Sequence, residues 1–165
     1  MARFAELLDE SKHQVFLMKC PATLPFSFAA HTWLIANRKG VVEWYSVSWR
    51  KAREGEETFT GHTCRGCIGY LHKGDRGFGE GIDIFPFMRG PLWGGRVISF
   101  LEGDEESGAA RIARLIESSF SSYPYGDRYR LTGPNSNTYP AWILARFPEA
   151  GMRLPWNAVG KGFNT

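Results

Sequence analysis

The segment Gly133-Pro134-Asn135-Ser136-Asn137-Thr138-Tyr139 holds four consecutive residues of the types that cap helices. A helix fits immediately behind it, from about Ser136 to Phe147, with Pro148 as its terminator. A side chain at a helix start sits where backbone N–H groups converge and negative charge is favoured. A hydroxyl placed there has an oxyanion site beside it, and a histidine from a neighbouring strand could take its proton. Ser136 is the candidate nucleophile on these grounds, and His31 the candidate base. The plainer alternative is that one of the four residues caps the helix and the others only make the turn.

His31 lies in the strand-like run Phe26 to Ala36, and it is the only histidine in such an apolar context. Taken alone, a histidine there is more often a buried, hydrogen-bonded structural residue. Its pairing with a hydroxyl-bearing helix start about a hundred residues later is what raises a base as the rival. The loop His62-Thr63-Cys64-Arg65-Gly66-Cys67, with His72 five residues on, supplies four zinc-type ligands. Its histidine spacing matches no common zinc module. Reduced loop cysteines are the expectation, so no cofactor is expected and structural zinc is the alternative. The glycines from Gly74 to Gly81 lack the strand–helix frame of a phosphate loop.

The elements that must position these residues follow from pattern. Gln14 to Lys19 reads as a first strand bounded by Cys20-Pro21, and Phe26 to Ala36 as a second. Arg38-Lys39-Gly40 supplies a tight turn, and Val41 to Trp49 completes a hairpin. Residues 50 to 81 are polar and glycine-rich and read as an excursion with little regular structure. Ile82 to Phe87 and Arg96 to Leu101 read as further strands. Ser107 to Phe120 is the clearest helix, because Ala109, Ile112, Ala113, Ile116 and Phe120 make one stripe. Leu154 to Thr165 has no period and is expected to pack as an extended arm.

The signatures His31-Thr32-Trp33, Tyr123-Pro124-Tyr125, Gly133 to Thr138 and Ala158-Val159-Gly160-Lys161 resemble those of a bacterial domain-of-unknown-function family, number 3750. That signature is in turn similar to the circularly permuted papain-like (NlpC-type) hydrolases. In them a catalytic histidine begins an early strand, and an Asn-Cys-Asn or similar motif opens a late helix. The resemblance implies an antiparallel sheet packed against two helices, an α+β fold in permuted papain-like order. It also implies hydrolase or acyl-transferase chemistry on an amide or ester of a small-molecule or peptide-like substrate. On that mapping His31 is the base, and Ser136 stands where the relatives carry the more nucleophilic cysteine. Tyr129 matches an upstream aromatic that lines such sites. A third member would lie on the following strand. Hairpin register leaves Val47 or Ser48 near His31, with Ser46, Tyr45 and Glu43 further along, and Glu43 is chemically the best orienting group. The rival is a pseudoenzyme that holds a small polar ligand with His31, Trp33, Asn135, Asn137 and Tyr129. A zinc-stabilised interaction domain, using Cys64, Cys67, His62 and His72, is the third class.

Bulk properties bound the answer. The chain has 165 residues, 43% of them apolar and 15% aromatic, enough to fill the core of a single domain spanning residues 1–165. Its net charge of +3 comes from 20 basic and 17 acidic side chains scattered along it. Nucleic-acid binders concentrate basic charge, so none is expected as a partner. No apolar run approaches the ~20 residues needed to span a bilayer. Cys20, Cys64 and Cys67 are an odd count that suggests no disulfide framework, and the cytoplasm is the expected address. Oligomeric state is not legible in the sequence.

Overall fold

The computed structural model describes residues 4–22, 25–48, 57–58, 70–74, 94–126 and 128–163. A single turn of helix, α1 (Phe4–Leu7), precedes β1 (His13–Pro21). The residues Val15, Phe16, Leu17 and Met18 are consecutive and all fully buried. A strand presents alternate side chains to opposite faces, so an unbroken apolar run needs both faces covered. Here both are. Val15 and Leu17 join the core beneath the helices, while Phe16, Met18 and Cys20 join a second core on the outer face.

β2 (Ala30–Arg38) and β3 (Val41–Ser48) form the expected hairpin. Its turn places Lys39 and Gly40 at φ 52° and 92°. Two successive positive φ values match the right-handed twist of the flanking strands, and glycine removes the steric cost at one of them. Asn37 Oδ1 accepts from the Gly40 amide at 2.8 Å and fixes the turn.

Within the excursion between residues 50 and 81, the described residues form two short strands. β4 (Glu57–Thr58) and β5 (Tyr70–Gly74) extend the sheet from the free edge of β3. Alternation in Tyr70-Leu71-His72-Lys73 is too short to stand out among the surrounding glycines. β6 (Arg96–Gly103) pairs with β1, with a register shift between Leu17 and Met18. The six strands run in the order β4-β5-β3-β2-β1-β6, every neighbouring pair antiparallel. The strand expected over Ile82 to Phe87 lies outside the described residues.

Two helices cover one face. In α2 (Gly108–Ser122), the Ser107 hydroxyl accepts from the Ala110 amide, and Ala109, Ile112, Ala113 and Ile116 are buried. All seven residues of α3 (Thr138–Leu144) are buried. Pro140 falls in its first turn, where no intrahelical bond is lost. Tyr139 and Trp142 of α3 meet Tyr123 edge-on at 5.1 and 5.3 Å between ring centroids. The fold is therefore α+β. After α3 the chain does not extend as an arm: it makes turns at Trp156-Asn157 and at 159–162, held by short-range bonds such as Lys161 N–H to Ala158 O.

Candidate functional site

α3 starts at Thr138, two residues later than the sequence pattern places it, so Ser136 precedes the cap position. The cap residue, Asn137, makes no side-chain bond to its own helix. Its amide is committed elsewhere. Oδ1 accepts from the Thr32 amide at 3.0 Å and the Thr32 hydroxyl at 2.8 Å. Nδ2 donates to the carbonyls of Ala30 and Val159, each at 2.8 Å. That uses all the hydrogen-bonding capacity of an asparagine side chain.

Asn135 repeats the arrangement one step away. Its Nδ2 donates to the carbonyls of Leu131 and Val159, and its Oδ1 accepts from the Asn137 amide at 3.0 Å. The Thr138 hydroxyl accepts from the Asn135 amide and donates to the Gly160 carbonyl. Gly160 adopts φ 89°, and a side chain there would collide with the Asn135 amide group. Three sequence signatures thus converge on one object: a polar clasp that ties the start of α3 to β2 and to residues 158–160. Burial makes the clasp strong, since Thr32 and Thr138 have no exposed surface and an unpaired polar group there would be costly.

Ser136 is 4% exposed. It lies beside the Tyr129 phenol, whose pKa is raised, chiefly by burial, although the neighbouring Ser136 works in the opposite direction. Tyr129 packs against the core under the helices. Tyr129 is therefore neutral near pH 7 and offers Ser136 no base.

His31 lies across the sheet from this group. Trp33 and Ile35 belong to the outer-face core, whereas Leu34 and Ala36 belong to the core under the helices. By alternation His31 shares the face of Trp33, and Thr32 shares the face of Leu34. The contacts agree. The His31 ring stands 5.5 Å from the Trp33 ring, and Nε2 makes a long 3.4 Å contact with Ser46 Oγ, while Thr32 reaches Asn137. Burial pushes the imidazole pKa down to about 4, so the ring is neutral at physiological pH.

The sequence-predicted residues consequently divide. Asn135, Ser136, Asn137 and Tyr129 come together on the helix side. His31 and Trp33 occupy the outer side, with Trp33 5% exposed among Phe16, Met18, Ile35 and Trp44. Glu43 pairs with Ala36 of β2, well along the strand from His31. Its carboxylate accepts from Arg38 at 2.7 Å and from the Tyr45 hydroxyl at 2.8 Å, and Arg38 also reaches Glu117. Ser48 ends β3 opposite Tyr70, and His72 lies opposite Ser46. Cys64, Cys67 and His62 lie outside the described residues, among which no three metal-type ligands gather. Thr32 is the participant that residue-by-residue reading passed over. Its signal was a hydroxyl on the same strand face as Leu34 and Ala36, where only a bonded polar group is tolerated.

Fold and site together define an α+β domain whose late helix is clasped to its second strand by two asparagines. The chain belongs to the family described as protein of unknown function, DUF3750, whose model matches residues 13–163. No curated protein and no solved structure matches it. Among the described residues no helix is long and apolar enough to cross a membrane.

Proposed function

We propose that this chain is a non-catalytic interaction domain. What supports this reading is that His31 shares the outer face with Trp33, while Ser136 lies beside Tyr129, which packs on the core under the helices. An acyl-transfer site needs its base within about 3 Å of the nucleophile, or one water away. Ser136 lies instead beside the half-buried Tyr129 phenol, and Asn135 and Asn137 spend their side-chain polar atoms on main-chain groups and the Thr32 hydroxyl. Groups so fully bonded inside the fold have nothing left to offer a substrate.

The second reading is a Ser/His hydrolase or acyl-transferase in permuted papain-like order. What favours it is chain order: a histidine-bearing strand comes early, and an Asn-Ser-Asn segment comes immediately before a late helix. An activity-based probe separates the two. The interaction reading expects no fluorophosphonate adduct on the native chain at neutral pH. An adduct at Ser136, abolished both by Ser136→Ala and by His31→Ala, would establish the enzyme.

A further inference from the structure

One end of the sheet is apolar where the rest of the surface is not. β1 ends there, β2 and β6 begin there, and the loops 25–29, 128–137 and 155–163 crown it. Among the described residues seven large apolar side chains are exposed, and five belong to these loops: Phe26, Phe28, Leu131, Trp156 and Val159. Trp156 is 89% exposed and Phe28 70%. An indole so exposed gains nothing for the fold.

These residues form one surface because the same asparagines lace their segments together. Asn157 donates to the Phe28 carbonyl at 2.9 Å, and its own carbonyl accepts from the Ala30 amide at 3.0 Å. Asn137 joins Ala30 to Val159, and Asn135 joins Val159 to Leu131. The Phe26 and Phe28 rings meet edge-on at 6.3 Å. The clasp thus holds three loops in fixed relation, and their apolar side chains stand on its outside.

Charge is sorted along the same axis. At the opposite end of the sheet lie Asp9, Glu10, Glu102, Asp104, Glu105 and Glu106, several of them paired with Lys12, His13 or Lys39. The described segments 25–34, 94–101, 128–147 and 150–163 contain no Asp or Glu. Beside the apolar loops lie Arg96, Arg128, Arg130 and Lys161. Arg130 is exposed beside Leu131, and the Lys161 ammonium is held on the Pro155 carbonyl at 2.8 Å, next to Trp156.

We infer that this end of the domain docks peripherally on an anionic lipid surface, with Trp156 and Phe28 entering the interface. Protruding indole, phenyl and aliphatic groups suit the boundary between headgroups and acyl chains. A cationic rim complements anionic headgroups. Self-association through this end would oppose like charges. Single-stranded nucleic acid would stack on the aromatic rings but would find no π face on Leu131 or Val159. The inference goes beyond the interaction reading and does not depend on it, because the surface lies outside the clasp and its test is blind to turnover.

The test is co-sedimentation of the 165-residue chain with vesicles of phosphatidylcholine alone and of phosphatidylcholine with phosphatidylserine. Binding is expected to the anionic vesicles, falling as salt is raised. Trp156→Ala should weaken it about tenfold, and Phe28→Ala should add to that, with melting temperatures unchanged because both side chains are exposed. Equal binding to neutral and anionic vesicles would overturn the inference, as would undiminished binding by the Trp156→Ala/Phe28→Ala variant. So would Trp156-dependent dimerisation, or oligonucleotide binding without vesicle binding.

Discussion

Asn137 grips Thr32 by both its amide and its hydroxyl, at 3.0 and 2.8 Å, although the two residues stand 105 positions apart. These are the neighbours of Ser136 and His31, so the signatures that suggest a dyad are brought together by the residues beside it. Asn137→Ala would strand the Ala30 carbonyl and the two Thr32 donors in the interior, while the Val159 carbonyl keeps its bond from Asn135. A loss of about 3 kcal/mol is expected in denaturant unfolding, with Thr32→Val costing about 1 kcal/mol because only the hydroxyl is lost. A near-neutral Asn137→Ala would remove the structural role assigned to the clasp.

Gly160 tests the same object from the other side. Alanine there would be strained at φ 89° and would push the Asn135 amide from its two carbonyl acceptors. The expected cost is about 2 to 4 kcal/mol by chemical denaturation. Gly151, also at positive φ but with open space around it, should lose only the backbone part, about 1 kcal/mol. Equal losses at the two positions would show that the Asn135 contact carries no energy.

His31 should make stability depend on pH. Its folded pKa of about 4 lies below the ~6.5 of an unfolded histidine. Between those values the unfolded chain binds a proton that the native state refuses. The contribution is therefore fully present above about pH 6.5 and is lost as pH falls through 4. The amplitude is about 3 kcal/mol. His31→Gln, which cannot titrate, should lack this component when unfolding free energies are compared from pH 7 to pH 4. Parallel profiles for the two proteins would mean that the ring is not desolvated.

Much of the fold was legible because its signals are local. The hairpin followed from Lys39-Gly40 between two apolar runs, and α2 followed from the stripe ending near Phe120. β4 and β5 were hidden because strands this short owe their pairing to their neighbours, β5 to β3 and β4 to β5, not to their own composition. The relation of His31 to Ser136 was hidden for a different reason. Residue types gave a base and a nucleophile, but the face that each occupies depends on strand phase, and a one-residue shift exchanges the faces. Thr32, not His31, has the phase that looks towards α3.

Cysteine at position 136 gives the most direct measurement of that separation. In the Ser136→Cys variant, alkylation by iodoacetamide can be followed by mass spectrometry at that residue alone, across mildly acidic to alkaline pH. With the imidazole on the far side of the sheet, the thiol should titrate no lower than a free cysteine, ~8.5, because it is buried and unpaired with a base. Its rate should be the same when His31→Ala is added. A thiol reactive below pH 7 whose reactivity falls tenfold or more on loss of His31 would contradict the account and restore the two residues to one site.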